Sequence, residues 1–238
     1  MDNTSYVALS RQLTLERQMS VVAGNIANMN TAGFKTEHLL FEEVLERAGR
    51  PGLVAFVQDV GLIRDLGPGP LETTGNPLDL AINGEGYFTV ETPNGPRYTR
   101  SGHFSLNGDG AVITTGGHPL LDDAGAPIQL PPGSGAISIA RDGTISTADG
   151  IAGRIGLVRF ADETRLGREG DSLLVTDQQP EPVAGPDIAQ GRLERSNVQP
   201  ILEMTRMMET VRAFQNTQRL LETHHEMVRR VIEQAASG

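Results

Sequence analysis

One stretch near the end of the chain decides the fold: Ile201-Leu-Glu-Met-Thr-Arg-Met-Met-Glu-Thr-Val-Arg-Ala-Phe214. Apolar residues recur in it every three or four positions, and no glycine or proline interrupts the pattern up to Ile232. This spacing places side chains on one face of an α-helix. The helix is expected to begin between Ser196 and Pro200 and to end near Ala236, a length of about 54 Å. Its predicted apolar face consists of Ile201, Met204, Met208, Val211, Phe214, Leu221 and Val228.

A second helix of the same kind is predicted at the start of the chain, from about residue 5 to residue 28. It would end in residues 28–33, where asparagine and glycine can adopt the left-handed conformation that terminates helices. Gly24 within it is a weak point, because glycine costs roughly 1 kcal/mol relative to alanine inside a helix. The steps along its apolar face are four, three, four and three residues, through Leu15, Met19, Val22, Ile26 and Met29.

The middle of the chain has a different composition. Between Gly49 and Gly191 it holds 25 of the 28 glycines and 13 of the 14 prolines. Turn dipeptides such as Asn94-Gly95 and Asp142-Gly143 separate short apolar runs, as tight hairpins require. The pattern predicts a mostly antiparallel β domain over residues 72–191. Its strands are expected at residues 78–82, 87–91, 97–101, 111–114, 119–121, 137–139, 155–160 and 172–175.

A connecting segment, residues 34–71, joins the first helix region (1–33) to this domain. Residues 34–47 are amphipathic and are interpreted as a short helix, and the alternation that starts at Leu53 predicts a β hairpin. The C-terminal helix region then covers residues 192–238. The predicted fold class is α+β, with the two terminal helices forming a coiled-coil stalk beside a central β domain.

Composition limits the possible functions. The net charge is −10, which argues against a nucleic-acid-binding surface. There is no cysteine, so thiolate catalysis and cysteine-based metal sites are excluded. No stretch approaches the roughly 18 apolar residues of a membrane span, and the first residues do not resemble a cleaved signal peptide. We therefore expect no nucleic-acid partner and no membrane insertion.

No pattern of chemistry-bearing residues indicates an enzyme. The histidines have no metal-ligand spacing, and Asn107-Gly-Asp-Gly110 lacks the remaining ligands of a calcium loop. Gly84-Glu-Gly86 lies between predicted strands rather than before a helix, so it is interpreted as a turn. The paired acids Asp122 and Asp123 lie in a loop rich in glycine and proline. The sequence predicts no catalytic residue, no cofactor and no metal.

The long apolar face of the C-terminal helix must be covered. Each apolar side chain left in water forgoes roughly 1.5 to 3 kcal/mol of burial free energy. A monomer could bury this face on its own first helix or on the β domain. Because the helix is longer than such a domain, we expect cover by the first helix together with neighbouring subunits, and loosely ordered ends before assembly. Both apolar faces are therefore predicted to be subunit interfaces.

Four motifs, in order, resemble those of the bacterial flagellar rod and hook proteins. The first is Ala23-Gly-Asn-Ile-Ala-Asn-Met-Asn-Thr-Ala-Gly-Phe-Lys35. The central two are Gly75-Asn-Pro-Leu-Asp-Leu-Ala-Ile-Asn-Gly-Glu-Gly-Tyr-Phe88 and Tyr98-Thr-Arg-Ser-Gly-His-Phe104. The last is Leu193-Glu-Arg-Ser-Asn-Val198, followed by residues 204–218. The chain length and the first ten residues are most similar to the proximal-rod member of this family.

The resemblance implies a structural subunit of the periplasmic axial rod in the flagellar basal body, which transmits torque during motility. It implies export through the flagellar type III apparatus without a cleaved signal peptide, and assembly with proximal and distal rod subunits through the terminal helices. Asn25, Asn28, Gly33 and Phe34 would form the junction from helix to body. Gly24 stands where the family usually has asparagine.

Other interpretations remain open. A distal rod or an atypical hook subunit would share the motifs. A periplasmic glycan hydrolase would need two carboxylates that flank a sugar bond, and no such pair stands out. An adaptor with a coiled-coil stalk would be found independently of flagellar export.

Overall fold

A computed structural model describes residues 3–47, 53–131 and 135–236 of the chain. These residues form two compact units. Of the described residues, unit 1 contains 3–27, 36–47, 53–65 and 199–236, and unit 2 contains 28–35, 66–131 and 135–198. Helices at both ends and antiparallel sheets between them confirm the predicted α+β class.

The two terminal helices belong to unit 1. Helix α1 covers Asn3–Ala27 and helix α2 covers Pro200–Ala236, within a few residues of the predicted bounds. Proline suits the first helical position because its missing N–H would have no partner there. The Ser196 hydroxyl accepts a hydrogen bond from the Val198 N–H and so forms a local turn before the helix.

Helices α1 and α2 pack against each other, and α1 also contacts both strands of a β hairpin in the same unit. The last turn of α1 meets the first turn of α2, so the helix pair is antiparallel. In the described residues both terminal segments are regular helices, and their loose order before assembly stays a prediction.

The predicted short helix at residues 34–47 is wrong. These residues enter strand β1, Glu37–Arg47, which pairs antiparallel with β2, Leu53–Arg64, through a bulge between Leu40 and Phe41. A short apolar run does not distinguish a helix from a strand by itself. A partner strand of 12 residues supplies hydrogen bonds along the 11 residues of β1, whereas an isolated helix of this length is marginal in water. The alternation that starts at Leu53 forms one strand, and the segment's hairpin pairs this strand with the residues predicted as a helix.

Unit 2 is built from short antiparallel strands, as the turn dipeptides predict. Its largest sheet has the strand order β13-β14-β6-β5-β12-β15, and the remaining strands form small two- and three-stranded sheets. The strands are β3 Leu71–Thr73, β4 Leu80–Ile82, β5 Tyr87–Thr92, β6 Gly95–Thr99, β7 Phe104–Leu106, β8 Val112–Thr114, β9 Ser138–Ile139, β10 Thr144–Thr147, β11 Gly150–Arg154, β12 Leu157–Arg159, β13 Gly167–Glu169, β14 Leu173–Val175, β15 Glu181–Pro182, β16 Ile188–Gln190 and β17 Arg192–Glu194, with a 3₁₀ turn at Glu163–Arg165.

Two apolar clusters stabilise unit 2, and strand β5 contributes to both. Phe88 belongs to the larger cluster, where its ring meets that of Phe104 edge-on at 5.2 Å between centroids. Its neighbour Tyr87 belongs to the smaller cluster with Tyr98 and Phe160. Alternation along the strand therefore sends consecutive side chains into different cores.

Candidate functional site

Helix α2 buries a row of polar residues in unit 1, not the predicted apolar row. Glu203, Thr210 and Thr217 are the buried positions among the side chains of α2 that the structure describes, and they recur every seven residues. On α1 the buried apolar positions Ala8, Leu15 and Val22 show the same interval. Seven residues are close to two helical turns, so each set lies along one side of its helix.

The predicted apolar face of α2 is instead divided. Ile201, Met204 and Met208 are 80%, 48% and 54% exposed. The later members Val211, Phe214 and Leu221 are half-buried. The side chain of Val228 lies outside the described residues. Within unit 1, α1 therefore covers only one edge of the predicted face and leaves the start of it in water.

The predicted face of α1 is also only partly buried. Leu15 and Val22 are buried, whereas Met19 and Ile26 are half-buried. Met29 lies beyond the end of α1 and belongs to unit 2, so its assignment to the helix face is wrong. The helix stops at Ala27 because a turn begins there, in which the Asn28 carbonyl accepts the Thr31 N–H.

Asn25 joins three elements of unit 1. Its side chain is almost completely buried, and its Nδ2 donates to Glu203 Oε2 at 3.0 Å and to the Glu37 carbonyl at 2.9 Å. Its Oδ1 accepts the Glu37 N–H at 3.0 Å. One amide thus links the end of α1, the first residue of β1 and the first turn of α2. We refer to these contacts as the Asn25 clamp.

Cations balance the carboxylates around the clamp. Glu203 is 2% exposed, and Arg206 donates to its Oε1 at 2.5 Å from the next turn of α2. Arg64 of β2 lies 3.3 Å from Glu37, and both side chains are largely buried. Thr210 needs no partner from α1, because its hydroxyl donates to the Arg206 carbonyl. The spacing of Glu203 and Arg206 in sequence indicates a helical ion pair but not the burial of Glu203; the signal for burial was the seven-residue spacing of Glu203, Thr210 and Thr217.

The other predicted junction residues lie in the segment 28–35 of unit 2. Asn28 accepts a hydrogen bond from the Thr31 hydroxyl at 3.2 Å. Gly33 has φ +69°, and a Cβ there would lie 2.5 Å from the Arg100 carbonyl carbon, so only glycine fits. Phe34 is buried, and the Arg168 guanidinium lies 4.7 Å from the centre of its ring, a cation–π distance.

A buried carboxylate, Glu194, holds this segment within unit 2. Its side chain is 2% exposed. Lys35 Nζ donates to Oε1 at 2.5 Å, the Gly69 N–H donates to the same oxygen at 2.9 Å, and Arg100 Nε donates to Oε2 at 2.7 Å. The Glu194 carbonyl accepts the Gly33 N–H at 2.7 Å. We refer to Glu194, Lys35 and Arg100 as the Glu194 hub.

Arg100 connects the hub to the motif of residues 75–88. Its Nη1 donates to the Gly86 carbonyl at 2.6 Å, and its Nη2 donates to the carbonyls of Ile82 and Gly84 at 3.0 and 2.6 Å. The four sequence motifs therefore meet at one buried group of charges. Lys35 and Glu194 are 159 residues apart in sequence, so no local sequence pattern indicates that they are in contact.

The electrostatics of the hub favour an ionised Glu194. Burial raises the pKa of its carboxyl, but the charge of Arg100 and the hydrogen bonds from Lys35, the Gly69 N–H and Arg100 outweigh this effect. The net pKa lies below its ordinary value of 4.5. The hub is thus an ionised carboxylate between two cations, a structural arrangement rather than a proton-transfer site.

Over the described residues, no group of three or more acidic or histidine side chains could hold a metal ion. A search of the same part of the chain finds no helix that is long and apolar enough to cross a membrane. The pair Asp122 and Asp123 lies at a turn, where Asp122 Oδ1 accepts the backbone N–H groups of Ala124 and Ala126.

Comparison with known protein families matches three parts of the chain. Residues 6–35 match the flagella basal body rod protein model, and residues 81–147 match the D1 domain of the flagellar hook protein FlgE/F/G. Residues 189–234 match the C-terminal model of the flagellar basal body rod FlgEFG protein. The Asn25 clamp draws on residues of the first and last of these regions, and the Glu194 hub draws on residues of all three.

Individual relatives are similar over nearly the whole chain. The flagellar basal-body rod protein FlgF of Caulobacter vibrioides is 41% identical, over 98% of this chain and 98% of that protein. FlgF of Mesorhizobium japonicum is 42% identical over 93% and 92%, and FlgF of Rhizobium meliloti is 37% identical over 98% of both chains. The chain therefore belongs to the flagellar basal-body rod protein family, as a FlgF-like member.

Proposed function

We propose that this protein is a structural subunit of the flagellar basal-body rod, and that it assembles through its terminal helices into the axial tube that transmits torque. The observation that carries the proposal is the exposed apolar start of α2, formed by Ile201, Met204 and Met208. Solvent exposure of three large apolar side chains on one face of a helix marks a surface that another protein covers. Family membership supports neighbouring rod subunits as the proteins that cover it.

The proposed stalk is a coiled coil of α1, α2 and helices of adjacent subunits. The seven-residue interval of buried positions on both helices supports it. Helix α2 has 37 residues and α1 has 25, so α1 alone is too short to cover α2 along its length. Methionine in the exposed row adapts its shape to different neighbours, which suits a subunit that contacts more than one kind of rod protein.

One pair of variants tests this function. Met208→Asp places a charge in the exposed apolar row, and Thr223→Asp places the same charge at another exposed position of α2. In a strain whose only copy carries Met208→Asp, we expect no incorporation of the protein into isolated basal bodies and no swimming. Thr223→Asp is expected to assemble. Normal motility with a folded Met208→Asp protein would contradict the proposal.

The finer placement is also a proposal. We assign the chain to the proximal rod in the periplasm, with proximal and distal rod subunits as partners, and we infer that it arrives through the flagellar type III export apparatus. Immunolabelling of isolated basal bodies distinguishes a proximal from a distal position. Export is tested by whether the protein remains in the cytoplasm when that apparatus is inactivated.

We propose a structural and not an enzymatic role. The relatives are rod proteins by name, and the buried charges described above are held in ion pairs and hydrogen bonds. A peptidoglycan-clearing assay with the purified protein tests the glycan-hydrolase alternative, and clearing would contradict this role.

A further inference from the structure

We propose that Glu194 is a positioning residue for assembly: its carboxylate holds together, within unit 2, the two segments from which the chain continues into α1 and α2. These segments are residues 28–35, which follow α1 directly, and residues 192–198, which lead to α2. The inference rests on the proposed function, in which the terminal helices form the assembly surface.

Four hydrogen bonds support this role, and all of them cross between the two segments or anchor them. Lys35 Nζ reaches Glu194 Oε1 at 2.5 Å, and the Gly33 N–H reaches the Glu194 carbonyl at 2.7 Å. The Asn197 N–H donates to the Phe34 carbonyl at 3.3 Å. The Gly69 N–H, on the chain that leads into β3, donates to the same carboxylate oxygen as Lys35. Arg195 of the second segment also donates to Asn30 of the first at 3.2 Å, but in the described residues Glu194 forms the only ion pair between the two segments.

The two segments that the hub joins lie outside the apolar clusters of unit 2. The members of both clusters lie between Leu80 and Ile188, so neither segment contributes a side chain to them. Loss of the hub can therefore free the two segments while the cores stay folded. This separates a positioning role from a general contribution to folding.

The hub needs a carboxylate and not only a hydrogen-bond acceptor. Lys35 and Arg100 are 8% and 9% exposed, and in the described part of the chain Glu194 is the only carboxylate in contact with either. Glutamine at this position keeps the shape but leaves two buried cations without a counter-charge. Removal of one partner from a buried ion pair is strongly destabilising, so the segments are expected to open.

Lys35 reports on this opening, because it is the single lysine in the sequence. An amine-reactive acetylating reagent modifies only Lys35 and the N-terminal amine, and peptide mass spectrometry separates the two sites. We expect Lys35 of Glu194→Gln to react at least about tenfold faster than in the wild type, as loss of one partner of a buried ion pair predicts. In a Tyr6→Phe background, the tyrosine signal in near-ultraviolet circular dichroism reports the cluster of Tyr87 and Tyr98, and it is expected to persist.

A matched control comes from the exposed pair of Glu72 and Arg195, whose side chains are 53% and 45% exposed. Glu72 lies on β3, the partner strand of β17, so Glu72→Gln makes the same chemical change nearby. Its Lys35 is expected to react at the wild-type rate. If Glu194→Gln loses the tyrosine signal, Glu194→Asp is used in its place. This variant keeps the charge but shortens the side chain, so its Lys35 is expected to be acetylated at an intermediate rate.

Incorporation into basal bodies completes the test. Glu194→Gln is expected to enter basal bodies much less than Glu72→Gln. An unchanged rate of Lys35 acetylation in Glu194→Gln overturns the proposal. The same result in Glu194→Asp overturns it if Glu194→Gln has lost the tyrosine signal. Faster acetylation together with wild-type incorporation into basal bodies also overturns it. Failure of the proposed function is separate, since it appears as normal assembly of Met208→Asp.

Discussion

Two nearly inaccessible carboxylates form ion pairs with arginine: Glu194 in unit 2 and Glu203 in unit 1. Each is 2% exposed, and each lies within hydrogen-bond distance of an arginine. A buried ion pair adds little stability compared with apolar packing, but loss of one partner is costly. These residues therefore specify which segments come together more than they add to the total free energy of folding.

We expect Glu194→Gln to lower the free energy of unfolding by about 3 kcal/mol, the cost of leaving buried cations unpaired. Urea titration at neutral pH measures the difference. Glu72→Gln, at an exposed ion pair, should cost less than about 1 kcal/mol. Equal effects of the two substitutions would show that burial of the hub has no energetic consequence.

The stabilising effect of Glu194 should depend on pH. Because its pKa is lowered in the folded state, its contribution is complete above the ordinary value of 4.5 and is lost as pH falls through the lower folded value. The difference in unfolding free energy between wild type and Glu194→Gln should thus be constant from neutral pH to about pH 5 and shrink below it. Urea titrations at several pH values check this, and a difference that grows on acidification would contradict it.

Individual helices and strands were predictable to different degrees. The bounds of α1 and α2 follow from apolar spacing and from Pro200. The predicted strands correspond to seven of the fifteen described strands of unit 2, namely β4, β5, β6, β8, β9, β12 and β14, whereas residues 119–121 form only isolated bridges. Strand β1 was not predictable, because its partner β2 and not its own residues decides its conformation. The buried row of α2 was also missed: Thr210 and Thr217 are polar in sequence, yet their hydroxyls bond to carbonyls of their own helix and can be buried at little cost.

Within α1 we expect Gly24→Ala to raise the free energy of unfolding by about 1 kcal/mol, the difference between alanine and glycine in a helix interior. A Cβ at Gly24 meets no atom within 4 Å. Thermal unfolding followed at 222 nm measures the gain. The same substitution at Gly33 is the control with opposite sign, because φ +69° and the Arg100 backbone at 2.5 Å exclude a side chain there.

Unit 1 and unit 2 divide the chain by composition as well as by contacts. The α-helices of the described residues all lie in unit 1, and both buried apolar clusters lie in unit 2. The sequence predicted this division into helical ends and a β middle. It did not predict that the hairpin of β1 and β2 joins the helices, or that residues 28–35 join the β unit. Both depend on contacts between distant residues.

We expect the two units to unfold as separate cooperative transitions, each with its own spectroscopic signal. Circular dichroism at 222 nm reports α1 and α2, and in a Tyr6→Phe background the near-ultraviolet signal reports Tyr87 and Tyr98 of unit 2. Leu15→Ala removes a buried side chain of α1 and should destabilise unit 1 by about 2 kcal/mol, so that only the 222 nm midpoint falls.

Phe104→Leu is the reciprocal variant, because Phe104 is 1% exposed and packs edge-on against Phe88 in the larger cluster of unit 2. It should lower the near-ultraviolet midpoint and leave the helical midpoint in place. If each variant instead lowers both midpoints equally, the chain unfolds as one cooperative block. Rod assembly would then have to accept the protein with its helices already fixed, because the helical ends could not rearrange while the β unit stays folded.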